Sequence, residues 1–525
     1  MRIFSINSGH DGSTAGVDAS KQDLLFAYEA EKDSFPRNAP VNPDTLITAA
    51  SWFDQIPDVL ALSGWSSTGL DHVKSSGAGY FGVGDGSEVV GAQRFFGKVV
   101  DYYSSTHERS HIWATYAMSP FRQGEPCYVL VWEGSLGDFY EIDSDLKIHH
   151  LGRVMSNPGQ KFSFLYALAD PGFNPTNGSV RKGDAGKLMA ASALGDASEI
   201  DQEAQNLIDQ LLSDPTAIDR LQKDDFKSSA FHNIGIESQR FRDLAASYSE
   251  AIFSVFHDYA KVNLTKGLPL LISGGCGLNC DWNTRWRKSG LFRDVFVPPC
   301  TNDSGSAIGT AVDAMRHFTG KAKLDWTVYA GQPFCDDRSK MDYVTASELN
   351  LREVAAALND GMIIGWAIGN CELGPRALGN RSILAAPFST KTRDRLNGLK
   401  GRPISAPIAP VCLEEDVSKH FDWSGPSPYM LNFSKVTDPE LRAVTHLDGS
   451  ARVQTVTQDQ NAMLYKLLQE FKAISGSGVL CNTSLNFQGA GFINKTSDLY
   501  TYARAAGLDG VVAGLSFYRF HRRSG

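Results

Sequence analysis

The sequence predicts an α/β protein of at least two domains, on three observations. At 525 residues the chain exceeds what one hydrophobic core usually organises. Short apolar runs repeatedly end in glycine-rich polar loops and then in helix-like periodicity, the texture of strand–loop–helix units. After Phe318 the stretch TGKAKLDWTVYAGQPFCDDRSKM has no clear period and reads as a linker, with a second α/β unit beginning near Tyr343.

In chain order, RIFSIN is a strand, SGHDGS a polar turn and TAGVDA a second strand. CYVLVWEG is an apolar strand that ends at Gly134. LPLLISGGCGLNCDWN is a buried strand running into a glycine turn and a helix, and VFVPPCTNDSGSAIGTAVDAM is a strand, a polar loop and a helix. In the second unit, LREVAAALNDGMIIGWAIG reads as helix, turn and buried strand. QNAMLYKLLQEFKAISG is an amphipathic helix with a glycine stop, and SGVLCNTSLN is a strand entering a polar loop. No internal repeat or low-complexity tract is visible. Loops of this kind set backbone N–H groups where phosphate oxygens can sit, and several in one chain suggest a split nucleotide site.

Hydrophobic content of 42% and aromatic content of 10% are ordinary for a soluble globular protein. A net charge of −9 argues against a nucleic-acid binder driven by bulk charge, while leaving room for a locally basic pocket. The N-terminus lacks the pattern of a signal peptide, and no window reaches the ~18 uncharged apolar residues of a membrane span, so a cytoplasmic protein is expected. The eight cysteines are sparse and scattered, which suits reduced thiols. Cys276 and Cys280 are the one close pair; they lie among glycines and read as small buried residues rather than metal ligands.

His107 and His111 lie four apart in HERSH, so on a helix both imidazoles share a face and can grip one metal ion. The pattern H-E-x-x-H is also that of a zinc peptidase. Its metzincin extension fails, because positions 114 and 117 are both Ala, and a third glutamate ligand would have to be Glu125, Glu133 or Glu141, all in or beside the next strand. The plain alternative is a pair of surface helix histidines. GNCELGPRALGNRSIL sets Arg376 and Arg381 among three glycines and two asparagines, forks suited to phosphate or carboxylate oxygens. LNGLKGRPISAPIAPV adds Lys400 and Arg402, and LCNTSLNFQG offers Asn482, Thr483, Ser484 and Asn486 at a strand end. Together they suggest an anion pocket in the second domain; the plain alternative is a turn with solvated arginines. In NSGHDGS, His10 suits a general base acting on a bound hydroxyl, while Asp11 could equally cap a tight hairpin.

Taken in order, these segments resemble the O-carbamoyltransferase family of antibiotic and nodulation-factor biosynthesis. NSGHDGSTAGV resembles its HDSAAALV, and HERSHIWATYAMSPF its HHLAHAASAFYPSPF, with both histidines in register. GDAGKLMA is similar to DEGKVMGLA, SGGCGLN to GGVALN, TNDSGSAIGTA to AGDAGGALGAA, and VLCNTSLNFQG to VLLNTSFNVRG. LGPRALGNRSIL is close to the family's strongest signature. The similarity runs from about residue 3 to about residue 518. The short chain and EKDSFPR look most like the branch acting on 3′-hydroxymethylcephems.

The resemblance implies an N-terminal TsaD-like domain of the split actin/Hsp70 (ASKHA) type over 1–335 and a C-terminal YrdC-like α/β domain over 336–525. The C-terminal domain would join carbamoyl phosphate and ATP (with Mg) into carbamoyladenylate, using Arg376, Arg381, Lys400, Arg402, Asn482, Thr483, Ser484 and Asn486. The N-terminal domain would pass the carbamoyl group to the hydroxyl of a small-molecule acceptor, a cephem, sugar, nucleoside or polyketide. The resemblance places one metal ion, iron or zinc, on His107, His111 and Asp303. The adenylate would lie on Gly134, Lys187, Gly274, Gly275 and Asn279, with His10 and Asp11 catalytic. No nucleic-acid or membrane partner is expected; a homodimer is compatible. Two departures stand out: Glu133 replaces the Asp of a family DG, and Ala406 replaces a family arginine. The rival readings are a tRNA-modifying threonylcarbamoyl-type enzyme, the peptidase, and a non-enzymatic nucleotide-binding scaffold.

Overall fold

A computed structural model of the chain describes residues 1–66, 75–174, 180–218, 221–337, 344–403 and 406–521. It is mixed α/β, and it forms two compact units: Met1–Met118 with Pro298–Gly525, and Ser119–Val297. Tyr343, the expected start of the second α/β unit, lies outside the described residues.

The first unit contains a six-stranded sheet in the order Asp23–Glu29, Ser13–Asp18, Arg2–Asn7, Val59–Ser63, Lys98–Ser105, Glu88–Phe95. Arg2–Asn7 pairs antiparallel with Ser13–Asp18 and parallel with Val59–Ser63, which runs parallel to Lys98–Ser105. The second unit carries a five-stranded sheet in the order Ile148–Arg153, Gly137–Ile142, Cys127–Trp132, Leu270–Ser273, Val295–Phe296. Its first strand in the chain likewise pairs antiparallel with the second and parallel with the fourth, which is parallel to the fifth. Both sheets therefore share the order third, second, first, fourth, with a parallel strand beyond. The first adds the hairpin strand Glu88–Phe95 at its edge. A repeat invisible in the residues is present in the topology, because strand order constrains hydrophobic alternation and turn positions rather than residue identity.

Two helices position the chemistry of the first unit. His107–Met118 is buried at every residue, so it has no apolar stripe to distinguish it from its polar positions. Its charge is compensated internally: Arg109 Nε and Nη2 donate to the two carboxylate oxygens of Asp313, each at 2.8 Å. Asp313 lies on the second helix, Ser306–Thr319, which ends at the left-handed Gly320. The two helices approach so closely at Gly309 that a Cβ there would lie 1.8 Å from Ser110 O. Gly309→Ala is therefore expected to cost about 3 kcal/mol through overpacking, read as a lower urea midpoint at unchanged m-value.

The largest sheet of the first unit has eight strands, ordered Val344–Glu348, Ser516–Phe520, Gly510–Ala513, Ile364–Ala367, Arg381–Ala385, Val479–Ser484, Ala409–Leu413, Gln454–Val456. Helices Leu351–Asn359 and Ala462–Ser475 supply the apolar side chains on one face, against Trp366, Leu384 and Leu480. Helix Thr496–Ala506 covers the other, against Ile383, Cys481 and Val511. With both faces covered, the central strands are apolar runs, as their sequence suggests. The long loop between Ile364–Ala367 and Arg381–Ala385 carries GPRALG. No described helix is long and apolar enough to cross a membrane.

Candidate functional site

HERSH begins a helix: His107 is its first residue, and the His107 and Glu108 N–H groups donate to Gly79 O and Tyr80 O. One turn on, His111 brings its Nε2 to 3.1 Å from His107 Nε2. Asp303 arrives from the other end of the chain in the short turn before the Ser306–Thr319 helix, where Asn7 Nδ2 donates to its carbonyl at 3.0 Å. Its Oδ1 lies 3.6 Å from His107 Nε2 and 3.3 Å from His111 Nε2, and all three residues are buried. Tyr80 stacks on the His107 ring at 4.3 Å, and Trp65 stands edge-on to both His107 and His10.

His10 faces the same carboxylate, with Nε2 at 3.3 Å from Asp303 Oδ2. Asp11, in the left-handed region at φ 49°, sets its Oδ2 3.0 Å from His10 Nδ1, and its Oδ1 accepts from Asn38 Nδ2 at 2.7 Å. Held by Asp11 at Nδ1, the ring turns Nε2 toward the Asp303 carboxylate. Burial drives the His107 imidazole down to about 3, against the pull of Asp303, so the ring is neutral. Burial alone would raise Asp303, but His10, His107 and His111 hold it below the usual carboxylate range. Two imidazoles and an ionised carboxylate with ligand atoms within 4.8 Å of one another are a set that fits a divalent metal ion. His10, with its side chain one-third exposed, is the open side of this cluster.

Glu108 Oε2 accepts the Gly82 N–H at 2.8 Å, so this carboxylate anchors a loop instead of a peptidase's hydrolytic water. Glu125, Glu133 and Glu141 are also engaged away from the cluster. Glu125 pairs with Arg293, Glu133 Oε1 accepts from Leu136 N at 3.0 Å, and Glu141 holds Lys266. The close cysteine pair is not a ligand pair: Cys280 Sγ bonds Leu278 O, and burial raises the Cys276 thiol and keeps it protonated.

The five expected adenylate residues all belong to the second unit. Gly134 and Gly274 follow the C-terminal ends of adjacent parallel strands, the position where open α/β sheets hold ligands. Gly274 adopts φ +99°, and a Cβ there would lie 2.3 Å from Trp132 O. Gly275 opens the following turn, and Asn279 caps the next helix, its Oδ1 accepting from Asp281 N and Trp282 N. Asn279 is thus committed to its helix, and Lys187 lies 3.3 Å from Asp184 on its own helix.

In the C-terminal half of the first unit the expected anion residues divide. Arg381 is completely buried and committed to structure. Its Nη1 donates to Ile368 O and Asn380 O, its Nη2 to Gly369 O, and Asn494 Oδ1 accepts from both Nε and Nη2. It braces the GPRALG loop, a different place from the open phosphate fork expected of it. Glu372 does the same from below, one carboxylate oxygen accepting the N–H groups of Leu378, Asn380 and Arg381. Arg376, half-buried, stands on the loop so braced. Ser484 Oγ donates to Asn486 Oδ1, and Thr483, on the same strand, faces the opposite side of the sheet. Asn482 donates to Ala377 O and Gln454 Oε1, leaving its buried Oδ1 without a donor.

Lys400 Nζ donates to Ser484 O, Asn486 O and Asn486 Oδ1. Burial, then Arg402 and Arg37, push it down to about 7. Arg402 is lowered too, by its surroundings and by Arg452 and Arg37. Among the described residues neither Arg402 nor Arg452 pairs with a carboxylate, and Arg452 Nε is buried without an acceptor. Arg452 was not singled out in the sequence; an arginine two residues before the buried QTV strand is the signal that could have found it. Such a cluster suits an anion. Because Lys400 loses its proton as pH rises through about 7, anion affinity should fall above that pH, at most about tenfold per unit. A pH series of pyrophosphate affinity, flattened in Lys400→Arg, checks this.

Comparison with known proteins matches two successive stretches of the chain. Residues 88–312 match the model described as carbamoyltransferase N-terminus, and residues 355–519 that of carbamoyltransferase C-terminus. The chain is 45% identical over 522 residues to the 3'-hydroxymethylcephem-O-carbamoyltransferase of Amycolatopsis lactamdurans, covering 99% of each chain. Identity and coverage are the same for its Streptomyces clavuligerus counterpart. It is 34% identical over 547 residues to nodulation protein U of Rhizobium tropici, covering 94% of this chain and 92% of the relative.

Proposed function

Because the chain belongs to the carbamoyltransferase family, we propose that it carbamoylates the 3′-hydroxymethyl group of a cephem in two steps driven by ATP. In the first, carbamoyl phosphate, ATP and one water give carbamoyladenylate, pyrophosphate and inorganic phosphate. In the second, the acceptor oxygen attacks the carbamoyl carbon and AMP leaves. The observation that carries this reading is the presence, in one compact unit, of a two-histidine, one-carboxylate cluster and a group of cations lacking carboxylates.

The division of labour assigns 336–525 to adenylate formation, as a YrdC-like domain, and 1–335 to transfer, as a TsaD-like one. The two matched stretches fall on either side of that boundary. The shared strand order of the two N-terminal sheets supports a duplicated actin-type fold. Lys400, Arg402 and Arg452 would hold phosphoryl oxygens, with Arg376 on the adjoining loop. The buried Asn482 Oδ1 would accept from the carbamoyl amine. Gly134, Gly274 and Gly275 would approach the nucleotide with backbone N–H groups. His107, His111 and Asp303 would hold a metal ion, iron or zinc, which when bound would neutralise charge on the adenylate phosphate. His10, oriented by Asp11, would take the proton of the acceptor hydroxyl at Nε2.

Purified protein should catalyse ATP–pyrophosphate exchange that depends on carbamoyl phosphate and needs no acceptor. With a 3′-hydroxymethylcephem added, mass spectrometry should show the gain of one carbamoyl group. Absence of exchange from metal-loaded protein sinks the reading; exchange without product on the cephem removes only the acceptor.

A further inference from the structure

We propose that Arg37, carried by the N-terminal loop 31–40, is a further cation of the C-terminal anion pocket and binds the phosphoryl group of carbamoyl phosphate there. This rests on the proposed function for the identity of the anion, and on the geometry and charge around the loop for the existence of the site.

The loop does not run free. Ser34 N donates to Phe492 O at 3.0 Å, Gly491 N to Phe35 O at 2.8 Å and Arg37 N to Gly489 O at 3.0 Å, so 34–37 forms a ribbon with 489–492. A Cβ on Gly491 would lie 1.8 Å from Glu31 O, so the close approach requires glycine. The far side of that ribbon is tied to the pocket by one residue. Asn486 Nδ2 donates to Ala490 O at 3.0 Å, and Asn486 Oδ1 accepts from Lys400 Nζ at 2.8 Å. Two hydrogen-bonded links therefore connect the Arg37 strip to Lys400.

The Arg37 guanidinium has donors to spare. Among the described residues its one hydrogen bond is from Nη1 to Glu31 Oε1 at 2.8 Å, and its carbon stands 6.0 Å from the Phe492 ring centre. The side chain is one-third exposed, with the remaining N–H groups open. Arg37 also belongs to the electrostatic surroundings of both Lys400 and Arg402. Bringing an arginine from a distant segment to cations that already repel one another is unfavourable unless an anion sits among them. Glu31 neutralises Arg37 only in part, since it contacts a single Nη. A phosphoryl dianion would meet the others.

The test is calorimetric titration of the full chain with carbamoyl phosphate, without ATP, in wild type, Arg37→Ala, Arg37→Lys and Glu31→Gln. Arg37→Ala should weaken binding by about tenfold or more, and Arg37→Lys should recover part of it. Glu31→Gln should bind at least as tightly as wild type. A purely structural Arg37–Glu31 pair predicts instead that Arg37→Ala and Glu31→Gln lower the melting temperature alike and leave affinity unchanged, which overturns the proposal. If wild type binds pyrophosphate in an Arg37-dependent way but not carbamoyl phosphate, the anion site stands and the reading of the function falls. If wild type binds neither, the inference fails.

Discussion

His111→Ala is expected to stop carbamoyl transfer while leaving carbamoyl-phosphate-dependent pyrophosphate exchange in place. The imidazole lies against His107 and Asp303, in the N-terminal half of the first unit. Removing one of three donors should lower metal retained after dialysis, and transfer should fall by at least about a hundredfold. Metal content, exchange and product formation, measured on one preparation, separate these effects. Loss of exchange together with transfer would mean that the two steps share the site. Glu108→Gln is the internal control. A peptidase base could not survive it, whereas a residue that anchors a loop by receiving the Gly82 N–H should leave transfer within about threefold of wild type and slightly lower the melting temperature.

Arg381→Ala should destabilise the C-terminal half by about 3–5 kcal/mol, more than any other substitution considered for the anion pocket. Its guanidinium, itself fully buried, satisfies the carbonyls of Ile368, Gly369 and Asn380 together with Asn494 Oδ1. Arg381→Lys should rescue little, because an ammonium cannot reproduce a planar fork reaching several carbonyls. Urea unfolding and protease sensitivity after the 364–367 strand provide the measurement. A folded Arg381→Ala protein with a raised carbamoyl phosphate KM would instead make Arg381 a ligand.

These two arginines show where residue type informs and where it does not. GPRALGNR marks an arginine-bearing glycine loop, and such a loop is there. Whether a guanidinium faces ligand or backbone depends on which carbonyls the fold turns toward it, and those of Arg381 come from positions as distant as 494. The cluster of two histidines and one carboxylate was more legible. Two histidines four apart on a helix share a face by geometry alone, but Asp303 is joined to them only by the family resemblance and by tertiary packing. Strands and helices with strong periodicity were readable for the same local reason. The duplicated sheet order was not, since it is a property of pairing between segments that need share no residues. Arg37 and Arg452 escaped because, although one ends EKDSFPR and the other precedes the QTV strand, no spacing in the sequence ties either to Lys400 and Arg402.

Gly374 carries a consequence for modularity. At φ +82°, its N–H donates to Glu29 Oε1 and its carbonyl accepts from Lys32 Nζ. A Cβ there would lie 2.0 Å from Pro299 O, in the segment that leads to Asp303. One residue of the GPRALG loop is thus keyed into two separate stretches of the N-terminal half. A chimera that exchanges the C-terminal half with that of a relative should couple the two reactions only if residues 29–32 and 299–303 travel with it. In this architecture the heritable cassette is a discontinuous set of segments, and a single crossover near residue 335 would cut through the joint it is meant to preserve.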